Sequence, residues 1–511
     1  MALRRAPAFH VATLGSASTG IARQILPVIG VLGFVLLIFA CTMLVPLAMS
    51  WLSSDGAFSI WDESILTTGA AGLVMWLGTR RFKRELHTRD GFLLVSLVWV
   101  VLPAFAAVPI WRWMHTTAIK MSMTDAYFEA VSGLTTTGST VIPGLHLLPA
   151  SINLWRHLLV WFGGMGILVL AIAVLPLLGV GGSQLYKLET PGPMKETKLT
   201  PRIAETAKGL YAVYLGLTAL CIFCFHWAGM DWFDAVCHGF STLGLGGFST
   251  WDDSFAHFAD KPWVDFTAVV FMIIASCNFA VHFMAFRARS LRAYVNCPET
   301  RYVLLTLIGG SLAVSLWLWQ QGIYPDLGDA LRYGMFNTIS IASTTGFMNA
   351  DYEAWPVFAV AVMIFMSVFA TSSGSTGGGI KMIRALVLLK QVRRELRRAL
   401  HPRLVNPVRL SGSAVENNVV FSILAFMATY ALLIITGFFL LLASGLDAQA
   451  SMTASIASIN NMGPGLGSIG PTGNYQGLGE FQTWVCIVLM LLGRLEMFTL
   501  LVLFTPSFWR R

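Results

Sequence analysis

Four short glycine-bearing stretches hold the groups in this chain that could do chemistry. They are Thr135-Thr136-Thr137-Gly138-Ser139, Leu245-Gly246-Gly247-Phe248-Ser249, Thr344-Thr345-Gly346-Phe347 and Asn461-Met462-Gly463-Pro464-Gly465. None contains Asp or Glu. What they offer is backbone carbonyls and hydroxyls. Such oxygens can replace the hydration shell of a monovalent cation, whereas many divalent-cation pores use a carboxylate ring. Glycine supplies the backbone freedom that turns successive carbonyls toward one axis. Aligned on Gly138, Gly247, Gly346 and Gly463, the stretches lie about 109, 99 and 117 residues apart. That period is too long for a solenoid. It suits membrane modules that each lend one loop to a shared site.

Each stretch needs an element to aim it. A segment too short to cross a bilayer but patterned as a helix precedes every loop: Thr124–Leu134, Asp231–Leu243, Leu327–Ser343 and Leu446–Ile459. Each carries an Asp-Ala pair near its start, at Asp125, Asp234, Asp329 and Asp447. An Asp there accepts from unpaired N–H groups and complements the helix dipole, so the four read as caps rather than ion ligands. If these half-helices enter from outside, their C-terminal ends bring partial negative charge to the loops, which favours a cation.

Composition sets the surroundings. Of 511 residues 56% are hydrophobic and only 12% charged, about half the charge fraction of a soluble domain. Mean hydropathy is +0.68. Continuous, non-alternating apolar runs of roughly 18–25 residues indicate spanning helices rather than a β-barrel. The expected fold is an all-α polytopic membrane protein. Four membrane–pore-loop–membrane repeats surround a central pore, with two extra transmembrane helices at the N-terminus. The divisions fall at 1–88, 89–200, 201–298, 299–410 and 411–511.

The net charge of +8 does not indicate nucleic acid, because Lys and Arg gather at the ends of apolar runs. Arg80–Arg84, Lys187–Lys208, Arg287–Arg301, Lys381–Arg409 and Arg510-Arg511 fall on one side. Positive-inside bias then puts both termini in the cytoplasm. The seven cysteines imply no disulfide framework, and Cys221-Ile-Phe-Cys224 reads as helix packing.

Two further features lie within apolar surroundings. Ala370-Thr-Ser-Ser-Gly374-Ser-Thr-Gly377-Gly378-Gly379 interrupts a membrane run. It cannot hold a helix in lipid unless protein or water satisfies its backbone. On residues alone it is either a flexible gate at 371–379 or a break imposed by packing. Lys381 beside it is a gate contact or a snorkelling cation. Arg494 sits deep in the last run, where a buried cation is functional by default. The alternative is an ion pair with another helix, and Glu496 points to a different face.

The chain resembles the Trk-type potassium-uptake subunits, the TrkH family of the Trk/Ktr/HKT superfamily, over nearly its whole length. The most specific stretches are Leu178–Gly182, Glu189–Pro193 with Lys198–Ile203, Ser375–Lys381, Asn461–Gly465 and Gly493–Glu496 leading to Phe508–Arg510. The resemblance implies a bacterial inner-membrane potassium channel or uptake subunit. Glycine at the key position of all four loops is the family's potassium pattern. It also implies that the 371–379 loop obstructs the path beneath the filter and that Arg494 lies beside the pore. It further implies a homodimer with one pore per chain, and a cytoplasmic nucleotide-binding regulatory ring as partner. K+ is then the transported ion, with no covalent cofactor.

The basic stretch Lys390–Arg403 reads as a docking surface for that ring, a membrane-surface helix or a dimer contact. A cation-coupled secondary transporter is the alternative function, although four like modules suit a central pore better than the two-fold repeats usual in transporters. No catalytic cluster or phosphate loop speaks for an enzyme.

Overall fold

Backbone groups in lipid must be paired within the segment, so apolar runs of this length become helices. A computed structural model describes residues 14–82, 84, 86–117, 120–173, 199–403, 406–410 and 413–509. The basic tail before residue 14, the Leu178–Gly182 and Glu189–Pro193 motifs, Lys187, Lys198 and the closing Arg510-Arg511 lie outside the described residues.

The first helices are α1 (Leu14–Thr42), α2 (Leu44–Ser53) and α3 (Phe58–Gly78). Next come α4 (Thr88–Thr116), a short α5 (Met123–Leu134) and α6 (Ala150–Ala173). They are followed by α7 (Leu199–Ala228), a short α8 (Trp232–Gly244), and the pair α9 (Pro262–Ser276) and α10 (Phe279–Ala288). Then come α11 (Pro298–Gln320), α12 (Leu327–Ala342), α13 (Val357–Ser367) and α14 (Met382–Leu400). The chain ends with α15 (Asn417–Ala443), a short α16 (Ala448–Asn460), α17 (Glu480–Arg494) and α18 (Phe498–Leu501). Among the described residues the strands are one small antiparallel pair, β1 (Arg409–Leu410) and β2 (Ser413–Ala414).

Among the described residues five segments are long and apolar enough to cross a membrane: Ile25–Ser53, Arg89–Thr116, Ala207–Ala228, Pro298–Gln320 and Asn417–Ala443. Two apolar pairs bend sharply within a break of a few residues, α9 on α10 by 95° and α17 on the Phe498–Phe504 segment by 105°. A third break, wider than these, separates α13 from α14. The four short helices α5, α8, α12 and α16 each stand between two apolar helices, in the order the sequence indicates.

Helices α1 and α3 pack backbone to backbone. A Cβ on Gly72 would come to 2.9 Å from the Gly33 carbonyl oxygen, and one on Gly33 to 2.8 Å from that of Gly72. Without a lipid-independent hydrophobic drive, such small-residue contacts give close van der Waals packing. Overpacking typically costs about 1–3 kcal/mol. Gly72→Leu is expected to separate these helices and lower the thermal midpoint in detergent, whereas Gly78→Leu, with open space around it, is expected to leave the midpoint unchanged.

Candidate ion site

The four short helices are fixed at their outer ends by caps. Ser122 accepts from the Asp125 amide, Asp231 from that of Asp234, Asp326 from those of Gly328 and Asp329, and Asp447 from that of Ala450. This corrects the expectation for three of the four Asp-Ala pairs. Asp125, Asp234 and Asp329 stand three residues inside their caps, and only Asp447 is itself the N-cap. From Ser122 to Gly138, Asp231 to Gly247 and Asp447 to Gly463 is the same sixteen residues, while Asp326 to Gly346 is four more. The third helix is therefore about one turn longer, at 3.6 residues per turn. Asp125 closes a reciprocal capping box with Ser122. Asp234 reaches forward instead, accepting from Thr250 Oγ1 at 2.6 Å and Trp251 Nε1 at 3.1 Å.

The loops share one backbone pattern. Positive φ occurs at Thr136 and Gly138, at Leu245 and Gly247, at Thr344 and Gly346, and at Asn461 and Gly463. In each loop the glycine and the residue two before it are left-handed, and the residue between is not. Such alternation aims successive carbonyls in a common direction instead of the opposed directions of a strand. Non-glycine residues at positive φ are uncommon, so four at one register mark a built geometry.

The glycines also close a ring. A Cβ on Gly138 would overlap the Gly246 carbonyl oxygen, one on Gly247 that of Thr345, and one on Gly346 that of Met462; one on Gly463 would lie 2.8 Å from that of Thr137. Each glycine thus abuts the carbonyl preceding the glycine of the next loop, and the fourth returns to the first. Among the described residues no hydrogen-bond donor reaches the carbonyls of Thr137, Thr345 or Met462, while that of Gly246 accepts from Phe248 N–H at 2.8 Å. The outer carbonyls behave differently. That of Gly463 accepts from Ser139 Oγ and Tyr475 Oη, both at 2.9 Å, and that of Phe347 from Ser340 Oγ at 2.7 Å. The Phe248, Phe347 and Met462 side chains are buried in protein: Phe248 lies under the Arg156 guanidinium, 4.3 Å from its ring centroid, Phe347 packs on Phe255, and Met462 sits in an apolar cluster with Ile341 and Met348. Pro464 lies against Gly346.

Behind the first two loops lies a feature that sequence reasoning missed. Glu129 and Arg156, both fully buried, pair at 2.8 Å. Glu129 also accepts from Thr140 Oγ1 and the Val141 amide. Arg156 donates to Asn153 Oδ1 and the Ser249 carbonyl. The pair links α5, the end of the first loop, α6 and the end of the second loop. The available signal was a carboxylate in the apolar body of a half-helix, beyond its first turn, and a lone guanidinium in the next apolar run. Thr135 and Thr137 bond side chain to side chain at 2.7 Å, as do Ser343 and Thr345, and Asn461 Nδ2 donates to Thr137 Oγ1 at 3.0 Å, joining the fourth loop to the first.

Beneath the ring runs the 371–379 segment. Thr376 Oγ1 donates to the Leu243 carbonyl at 2.9 Å, and the Gly378 amide to Thr344 Oγ1 at 2.8 Å. Gly377 faces the Ser343 carbonyl, and a Cβ on Gly378 would overlap that of Asn460. The segment therefore lies across the inner ends of α8, α12 and α16. Gly374 is set apart from this contact: it packs on Asn278, at the α9–α10 bend, and its carbonyl accepts from Phe279 N–H at 3.0 Å.

Arg494 is buried and donates to the carbonyls of Thr376 and Gly163, both at 2.9 Å. No carboxylate partners it among the described residues. Glu496 pairs instead with Arg384 at 2.5 Å. The ion-pair alternative for Arg494 thus gives way to a bond between the last apolar helix and the segment under the loops. Lys381 does not snorkel. Its side chain is buried, and Nζ donates to the Gly377 carbonyl at 2.6 Å.

Removing one partner of a buried ion pair typically costs about 3–5 kcal/mol because the other charge is left uncompensated. Glu129→Ala is expected to lower the thermal midpoint steeply. Glu129→Gln with Arg156→Gln, which removes both charges, is expected to recover most of the loss. Melting curves of the purified single and double variants check this, and equal losses would argue against a coupled pair.

A family model for TrkH, described as a cation transport protein, matches residues 60–511. The Trk system potassium uptake protein TrkH of Halomonas elongata is 43% identical over 489 residues, covering 95% of this chain and 99% of that protein. The Trk system potassium uptake protein TrkG of Escherichia coli K12 is 35% identical over 480 residues, covering 94% and 97%. The crystal structure of the potassium transporter TrkH from Vibrio parahaemolyticus superposes with a TM-score of 0.87 at 41% identity, covering 95% of this chain and all of that one. The chain is accordingly a member of the TrkH family of cation transport proteins.

Proposed function

We propose that this chain conducts K+ across the bacterial inner membrane through the ring of four loops, as the pore subunit of a potassium-uptake system. The observation that carries the reading is the closed ring of Gly138, Gly247, Gly346 and Gly463, each set against the carbonyl that precedes the next. Carbonyls of Thr137, Thr345 and Met462 that no donor among the described residues satisfies are available to replace a cation's hydration shell. The half-helices α5, α8, α12 and α16 end at these loops and bring their negative dipole ends to the ion. The loops hold no carboxylate, which favours a monovalent ion. The step to potassium draws on the relatives, which are named Trk system potassium uptake proteins. The family transports and is not an enzyme family.

On this reading the residues 135–138, 245–248, 344–347 and 461–464 form the filter. The 371–379 segment is the gate, closed in the arrangement described above, and Arg494 and Lys381 fasten it through Thr376 and Gly377. The chain is one part of a multi-component system. A second copy of the chain and a cytoplasmic nucleotide-binding ring are its expected companions, with both termini on the cytoplasmic side.

Two measurements test the reading, both made as ion flux into liposomes holding the purified chain. Gly138→Ser puts a side chain where the Gly246 carbonyl stands, and the K+ over Na+ permeability ratio is expected to fall about tenfold or more, the equivalent of about 1.4 kcal/mol. An unchanged ratio would remove the first loop from the filter. Thr376→Val, which deletes the bond to Leu243 and keeps the side-chain shape, is expected to raise K+ flux in the absence of any cytoplasmic partner. K+ flux that requires an inward proton or sodium gradient would favour a coupled symporter over a channel.

A further inference from the structure

Helix α14 presents two faces with different company. Its first half is buried: Ile383 and Val387 cluster with Val408, Leu410, Val415, Val419, Val420 and Ile423. Its second half carries an exposed apolar stripe, Leu389, Val392, Leu396 and Leu400, each about half or more exposed. At 100° per residue these four fall within roughly a quarter-turn of the helix surface.

The cations beside the stripe are of two kinds. Arg394 and Arg398 have protein partners, Asn417 and Glu395. Arg393 and Arg397, nearest the stripe, are exposed and have no carboxylate or other bonded partner among the described residues. A basic helix with an apolar face and free arginines at its border has the composition of an interfacial anchor.

The direction of α14 agrees. Arg394, in the second half of α14, donates to Asn417 Oδ1 at 3.0 Å, at the first residue of α15. The six residues from Arg394 to Leu400 carry α14 about 9 Å further. The second half of α14 therefore lies at the end of the Asn417–Ala443 span. It lies where that span leaves the hydrocarbon.

We propose that the second half of α14 lies in the membrane–water interface, with Leu389, Val392, Leu396 and Leu400 in the acyl boundary and Arg393 and Arg397 holding the phosphates of anionic phospholipids. Charge complementarity selects the occupant. A second copy of this chain would bring the same arginines to the stripe and meet like charge, whereas an anionic leaflet attracts each exposed cation near its surface. The helix continues directly from Lys381 and the 371–379 segment, so the bound leaflet holds one side of that segment in place. The inference uses the membrane location of the family and does not depend on the filter reading.

The test is native mass spectrometry of the full-length chain, extracted from bilayers of equimolar palmitoyl-oleoyl phosphatidylglycerol and phosphatidylcholine. The wild-type chain is expected to retain phosphatidylglycerol preferentially. Arg393→Gln with Arg397→Gln is expected to reduce that preference about fivefold or more, with the mass of the assembly unchanged. Leu389→Gln with Leu396→Gln is expected to reduce retention of both lipids. An unaltered preference in the arginine variant would overturn the proposal. So would a leucine variant that splits the assembly while lipid retention stays the same, since the stripe would then be a seam between copies.

Discussion

Backbone at membrane depth has no water to bond, and this constraint governs the centre of the molecule. Four short helices end there, each leaving carbonyls without an intrahelical donor. The surrounding protein meets some of that need. Thr376 Oγ1 donates to the Leu243 carbonyl at the end of the second half-helix. Ser139, Ser340 and Tyr475 take the outermost carbonyls. Among the described residues the carbonyls of Thr137, Thr345 and Met462, each just before one of the ring glycines, are left without a donor, where neighbouring loops approach too closely for any Cβ. The site is thus defined by which carbonyls the protein satisfies and which it leaves.

The charges follow the same logic. The loops carry no carboxylate, yet a buried carboxylate, Glu129, stands immediately behind the first of them. Its charge is spent on Arg156, Thr140 and Val141, so it acts as a brace. On the other side of the ring, Arg494 and Lys381 place two cations against carbonyls of the 371–379 segment, Thr376 and Gly377. Each hydrogen bond to a charged group is stronger than a neutral one, so these two contacts contribute more to holding the segment than the neutral bonds from Thr376 and Gly378. Displacing the segment would leave both groups to find other acceptors.

Much of this architecture could be read from the chain because its signals are local. Apolar run length marked the spans, and the four glycines marked the loops. The short helices fell within about two residues of their expected bounds, since Gly, Asp and Ser punctuate them. The caps were misassigned by one position class: Asp-Ala is the conspicuous repeat, but Ser122, Asp231 and Asp326 sit three residues earlier and do the capping. Long-range pairings were not legible. Glu129 and Arg156 are 27 residues apart, and nothing in either neighbourhood announces the other. Gly374 looked equivalent to Gly377, Gly378 and Gly379 because composition alone cannot separate the residue at the α9–α10 bend from those under the ring.

The four modules are alike above the ring and unlike below it. Helix α9 breaks to α10, and α17 breaks to α18, each with a near-right-angle bend and only two or three residues between. At the corresponding break between α13 and α14 the chain inserts the glycine-rich segment, which reaches across to Leu243, Thr344 and Asn460. The bends at α9–α10 and α17–α18 in turn support it, through Asn278 against Gly374 and Arg494 on Thr376. A bend common to three helices has thus been widened in one of them into a segment that the other two hold. The longer third half-helix belongs to the same module, so the departure from fourfold likeness is concentrated in the part of the chain that carries the glycine-rich segment.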